Sequence, residues 1–263
     1  MDAKSNQLEA TRTVPAPFGV FTALAWEGAA VRAVLRQVKR ERAGLWRGRA
    51  GRRAVLVVTG GVGPERAQRT LQQFAEVPFA AVLSVGCAGA LIPGLAPGHL
   101  ILASDVRMRS GETEAPLARF LADARLLAHA RAAAAQAGIP TAEGALFTST
   151  RVLATPEVKA QEGRVTGAIA VEMESGIHAA FARARGLPFL ALRVIFDPVE
   201  MTLPAVSRFM SPDGRVRPFK AATYAVTHPQ HIGVLLMLKR TQTMAAQALR
   251  RLCHVLFPLL ETF

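Results

Sequence analysis

Residues 77–104 read VPFAAVLSVGCAGALIPGLAPGHLILAS and contain no Asp, Glu, Lys or Arg. A run of this length could cross a bilayer as a helix. Pro78, Pro93, Pro97 and four glycines interrupt it, and such breaks expose backbone groups that lipid cannot satisfy. The run therefore reads as strand, loop and strand, with strands over residues 80–85 and 100–107. Strands this apolar belong to a sheet whose two faces are both covered.

Outward from this segment, apolar runs alternate with helical ones. Strands are expected over residues 18–24, 54–59, 145–149, 168–172 and 189–196. Helices are expected over residues 27–42, 64–76, 118–138 and 173–185. Pro64 falls in a first turn, where its missing N–H costs nothing, and Gly138 is a helix stop. This order predicts one α/β domain with a central, mostly parallel mixed twisted sheet flanked by helices. From Asp197 the pattern changes, because Pro198, Pro204, Pro212, Gly214, Pro218 and Pro229 break the chain into loop and short helix. Ala245, Leu249, Leu252 and Leu256 share one face of a last helix that Pro258 should end. The expected organisation is a tail over 1–16, a domain over 17–200, and a loop and helical extension of the same domain over 201–263.

Composition sets further bounds. Two cysteines among 263 residues give no disulfide framework, so a reducing, cytoplasmic setting is the expectation. Asp2 and Glu9, with Pro15 and Pro17 before the apolar run at Phe18, argue against a signal peptide. The formal net charge is +13, which suits either a solvated arginine-rich surface or an anionic partner. Few aromatics and no recognised binding motif argue against nucleic acid. The six histidines lack ligand spacing and the two cysteines lie far apart, so no metal site is expected.

Ligands of an open α/β sheet sit at the carboxyl ends of its strands, and acids recur there. Glu27 follows the first strand, Glu172 and Glu174 end the strand over 168–172, and Asp197 ends the strand over 189–196. The glycine loop Gly61–Ala67 has no acid about twenty positions on, which argues against a dinucleotide site. Arg193 lies inside an apolar strand and must find a partner, since a buried unpaired guanidinium is costly. Glu172 is the candidate for that structural ion pair, which leaves Glu174 for a ligand. Asp197 is a candidate acid or merely a turn starter before Pro198.

The segments GCAG (Gly86–Gly89), AVEME (Ala170–Glu174) and RVIFD (Arg193–Asp197), in this order and with Glu27, resemble the purine nucleoside phosphorylase and methylthioadenosine/S-adenosylhomocysteine nucleosidase superfamily. The resemblance implies cleavage of the N-glycosidic bond of an adenosine-type nucleoside. It makes Asp197 the acid that protonates adenine at N7 as the ribose becomes oxocarbenium-like. It implies that Glu174 accepts hydrogen bonds from the ribose hydroxyls, that Met173 packs on the ribose face, and that Glu27 orients or deprotonates an attacking water. The backbone N–H groups of Ala88 and Gly89 would cradle an anion or water. Phe147 is a candidate for stacking on adenine, with core packing as the alternative. A homo-oligomer is implied, and no organic cofactor.

Two departures bear on the acceptor. Bacterial phosphorylases of this superfamily carry a phosphate-binding arginine after the first strand, where residues 23–26 here read ALAW. Cys87 stands where a Ser or Thr hydroxyl usually contacts phosphate or water, and a thiol is a weak donor. Both leave phosphate open as a co-substrate beside water, with Arg66, Arg107 and Arg151 able to supply phosphate contacts from elsewhere. Asp197-Pro198, Leu203-Pro204, Ser211–Gly214 (SPDG), His228-Pro229 and a basic, apolar last helix resemble the hopanoid-associated phosphorylase branch. That branch implies an apolar group at the ribose 5′ carbon, as in adenosylhopane; a methylthioadenosine-type substrate is the alternative. Between Met201 and Phe263 there are eight Lys or Arg against two acids. Such a tail suits peripheral membrane contact, or a helix packed on the sheet or another subunit.

Overall fold

Every residue of β1 (Phe18–Thr22, FGVFT) is buried, so the strand has neighbours on both faces and both edges. The computed structural model describes residues 15–109, 117–203 and 232–263. Parallel to β1 on one side runs β4 (Arg53–Thr59), and on the other β5 (Ala81–Ala90). Next to β5 lies β10 (Phe189–Asp197), also parallel. Antiparallel β6 (Leu100–Arg109) follows β10, then β8 (Thr141–Thr148) and β9 (Ala170–Glu172), each parallel to its predecessor. Because β9 pairs antiparallel with the end of β5, strands β5, β10, β6, β8 and β9 close into a ring.

Alternation along the strands divides the core. Val55 and Val57 face one side of the sheet with α1 (Ala25–Arg32), α3 (Ala124–Gln136) and α6 (Ile232–Leu259). Leu56 and Val58 face the other with α2 (Pro64–Gln72) and α5 (Ser175–Ala184). A smaller cluster joins Leu91, Phe147 and Leu153 beneath α4 (Pro156–Thr166). The chain is thus a single α/β domain with a mixed sheet flanked by helices. Among the described residues no helix is long and apolar enough to cross a membrane.

Three expectations are corrected. The helix over 27–42 ends at Arg32, and residues 36–42 form β2 (Arg36–Arg42), a wholly exposed strand paired with β3 (Leu45–Ala50). The sequence RQVKRER is helix-compatible by propensity but has no apolar helical stripe to bury. Ala43-Gly44, with Gly44 at φ +74°, turns the hairpin instead. Residues 118–138 divide into β7 (Leu117–Leu121) and α3, because the Asp123 side chain accepts from the N–H groups of Arg125 and Leu126 and starts the helix there. The strand over 80–85 continues to Ala90, held by β9 and β10 on its two edges. Helix α4 has no counterpart in the expectations, although Thr155 caps it, Pro156 opens it and Gly167 (φ +62°) closes it. The motifs Ser211–Gly214 and His228-Pro229 lie outside the described residues.

Helix α6 places Ala245, Leu249, Leu252 and Leu256, all buried, against the sheet. Leu252→Ala should cost about 2–5 kcal/mol, read as a lower urea midpoint with unchanged slope.

Candidate functional site

The carboxyl ends of β1, β4, β5, β9 and β10 surround a cavity of about 180 Å³. Its wall includes Leu24 and Glu27 after β1, Val62 after β4, Cys87 to Gly89 of β5, Glu172 to Glu174, and Phe196-Asp197. Arg151 to Leu153 and Leu203 complete it. Four carboxyl groups therefore converge on one space, each from a different local cause.

Glu172 is buried beside Arg193, with Nη2 donating to Oε2 at 2.7 Å. The same Arg193 nitrogen donates to the hydroxyls of Ser84 and Ser175, both at 2.8 Å. The N–H groups of Glu174 and Ser175, at the start of α5, donate to Glu172 Oε2, and Thr148 donates to its Oε1. Burial pushes this carboxyl up, but Arg193 and these donors outweigh it and hold it below the usual range.

Glu174 turns the other way. Its Oε1 accepts from the N–H of Gly63 at 2.7 Å, and Gly63 is the residue that opens α2, at φ +101°. Burial first, and then the Glu172 charge, raise its carboxyl to about 8 against the pull of Arg193 and the Gly63 N–H. Glu27 stands third in α1 and folds back on its own helix start. Its Oε2 accepts from the N–H groups of Ala23 and Leu24 at 3.0 and 2.8 Å, and its Oε1 from that of Cys87 at 2.9 Å. Burial raises this carboxyl too, opposed chiefly by Arg193.

Asp197 ends β10 beside a group that the sequence expectations missed. Lys159 of α4, 0 % exposed, places Nζ 2.5 Å from Asp197 Oδ2. This is ion-pair distance. Burial raises the Asp197 carboxyl and Lys159 restrains it. The signal for Lys159 was periodic: it shares the buried face of α4 with Gly163 and Thr166, at i+4 and i+7.

Two glycines of the GCAG motif make this convergence possible. A Cβ on Gly86 would lie 2.7 Å from Arg193 Nη1 and 2.8 Å from Glu27 Oε1. On Gly89 it would lie 2.9 Å from Asp197 Oδ2. Each glycine vacates the space that a charged side chain fills.

Three expectations need correction here. Phe147 is buried in the cluster beneath α4, with the Arg109 guanidinium 5.0 Å above its ring, and does not line the cavity. Ala88 and Gly89 do line it, but they continue the extended strand β5, whereas an anion nest requires alternating helical turns. Of the three arginines considered for phosphate, only Arg151 is in the wall. Arg107 is held by Asp105 and the carbonyl of Thr166, and Arg66 lies on α2 outside the cavity. Met173 and Cys87 both line the cavity; burial, and then Glu27, push the Cys87 thiol well above its ordinary value.

Residues 17–211 match the family described as the Phosphorylase superfamily. Among solved structures, the fold resembles a 5′-methylthioadenosine/S-adenosylhomocysteine nucleosidase of Neisseria meningitidis in complex with methylthio-immucillin-A. The TM-score is 0.71 at 18% identity, over 92% of this chain and 99% of that one. A nucleosidase of the same description from Colwellia psychrerythraea, in complex with adenine, gives 0.70 at 19% identity, over 92% and 94%. A futalosine hydrolase mutant of Helicobacter pylori gives 0.67 at 17% identity, over 90% and 98%. No curated protein matches the sequence.

Arg193→Met should cost about 3–5 kcal/mol, because it strands the Glu172 charge, and adding Glu172→Met should recover part of the loss. Glu174 holds its proton more tightly folded than unfolded, so its share of stability falls as pH rises from the ordinary carboxylate range through about 8. Glu174→Gln removes that share of the slope. Thermal unfolding across about pH 5–9 should show the variant gaining on the parent toward the alkaline end.

Proposed function

The chain belongs to the phosphorylase superfamily, and from that membership we propose that it cleaves the N-glycosidic bond of a 5′-substituted adenosine with release of adenine. The observation that carries this reading is the meeting of Asp197, Glu174 and Glu27 in one cavity wall at the carboxyl end of the sheet.

Adenine leaves poorly as an anion, so its ring must gain a proton while the bond to C1′ stretches. Asp197, raised by burial, holds that proton and passes it to N7. The bonding pair then goes to the purine and leaves positive charge on the ribose. Glu174 accepts hydrogen bonds from the ribose hydroxyls, which fixes the sugar and favours its developing charge. Met173 packs on the sugar. Glu27 has three of its roughly four acceptor positions filled by backbone N–H groups, which fixes the carboxyl and leaves one for a water. That water adds to C1′ and yields its proton to Glu27.

Water is favoured over phosphate as the acceptor. A phosphate dianion would enter a wall with four carboxyl groups and Arg151 as its described cation, and Glu27 already takes the N–H of Cys87. For the substrate's 5′ group, Leu24, Val62, Val152, Leu153, Phe196 and Leu203 supply an apolar surround. With the tail motifs after Asp197, this supports adenosylhopane in hopanoid synthesis, delivered from a membrane surface. The second reading, a small 5′-thio nucleoside, is favoured by the fold neighbours that are methylthioadenosine/S-adenosylhomocysteine nucleosidases.

Adenine release from adenosylhopane and from methylthioadenosine, each with and without phosphate, tests both points. Release from the hopanoid without phosphate is the expected result. A strict phosphate requirement would make the reaction phosphorolysis, and preference for methylthioadenosine would remove the hopanoid assignment. Asp197→Asn should slow release by about 10²–10⁴-fold; unchanged release would remove Asp197 as the acid.

A further inference from the structure

Lys159 is the one lysine or arginine besides Arg193 that is fully buried among the described residues. An ammonium has three donors and no acceptor, and burying it without oxygen partners would be prohibitive. Here three oxygens surround Nζ. The carbonyl of Pro198 lies at 3.0 Å, that of Met201 at 2.8 Å, and Asp197 Oδ2 at 2.5 Å. The two carbonyls belong to the turn that leaves β10, and the N–H of Leu203 beyond it donates to the carbonyl of Ala154 at 2.8 Å. Leu203 itself lines the cavity. So the start of α4 and the loop before it grip residues 197–203, from the carboxyl group to the rim.

The geometry points to Lys159 as the positioning residue of this site, which fixes the Asp197 carboxyl against the cavity and locks the wall segment 198–203 to it. A helix that only packed against the sheet would do so more cheaply with an apolar side chain, since replacing buried ion pairs by apolar groups is often neutral or stabilising. Oδ1 and Oδ2 of Asp197 both lie within 3.3 Å of the space above Gly89. The carboxyl therefore sits between a backbone that has no side chain and an ammonium that cannot move without losing two carbonyls. Other titratable groups share the cavity: Cys87 on β5, Glu27 on α1, Glu172 on β9, Glu174 at the start of α5, and Arg151. Lys159 is the cation in contact with Asp197.

This inference rests on Asp197 being the acid that protonates adenine. Adenine release from methylthioadenosine or adenosylhopane, whichever turns over, is followed across pH. The proteins are the parent, Lys159→Gln, Lys159→Met, Lys159→Arg, Asp197→Asn, and Asp197→Asn combined with Lys159→Gln. An acid must be protonated to act, so activity is lost on the alkaline side as Asp197 ionises. Removing the cation makes Asp197 harder to ionise, so in Lys159→Gln and Lys159→Met that limb moves upward by roughly one to three pH units. Their kcat falls by about 10–100-fold with little change in KM. Lys159→Arg keeps the limb where it stands in the parent. The combined variant is no slower than Asp197→Asn alone, because the two residues act as a unit.

A limb that stays put in Lys159→Gln and Lys159→Met, with or without lost activity, overturns the proposal and leaves Lys159 a packing residue. So does a combined variant whose losses multiply. Undiminished release by Asp197→Asn overturns the acid reading itself, and the role of Lys159 with it.

Discussion

The buried ion pair of Glu172 and Arg193 is the constraint on which the site depends. Arg193 lies in the middle of β10 among Leu192, Val194 and Ile195, where a guanidinium is tolerable only with several oxygen partners. Those partners come from β5 through Ser84, from β9 through Glu172, and from α5 through Ser175. Glu172 in turn fixes the first turn of α5 and the end of β8. One charge thus ties three strands and a helix together at the floor of the cavity. The direction in which Glu174 points follows, because its own N–H is bound to the carboxylate two residues before it.

Much of this was legible in the sequence because it rests on residue type at strand ends. An arginine inside an apolar strand demands an acid, and the order of the strands leaves few to choose from. Glu172 and Glu174 diverge because a turn separates them, as their spacing allowed. The edge of the sheet was less legible. RQVKRER is composed of good helix formers, and only pairing with β3 makes it a strand. Phe147 was open to two readings from sequence, and the ring's burial under Arg109 could not be inferred from one strand alone. Lys159 escaped because α4 itself was not expected: its buried face is Lys159, Gly163 and Thr166, none of them a large apolar residue.

The acids of the cavity are distributed so that their protonation states differ. Glu172 is held ionised by Arg193, whereas Glu174, Glu27 and Asp197 are all pushed upward, first of all by burial. In the proposed reaction a proton is given on one side of a sugar and taken on the other, which needs carboxyl groups with unlike affinities for protons. Here one guanidinium serves three glutamates, and an ammonium serves the aspartate. Among the glutamates the difference is the direct bond that Arg193 donates to Glu172, not the residue type.

Strand β2, at the end of the sheet, has every side chain exposed and sets Arg36 opposite Arg49 and Lys39 opposite Arg47 across the ladder with β3. Like charges placed face to face weaken a strand pair, a loss within one molecule that the ion pair of Arg47 with Glu41 offsets in part. Between molecules it acts differently. An open strand edge is a template on which another copy of the same sheet could extend itself, and a copy approaching here would bring the same row of cations. The hairpin gives up some of its own stability, and among the described residues the sheet ends at β2.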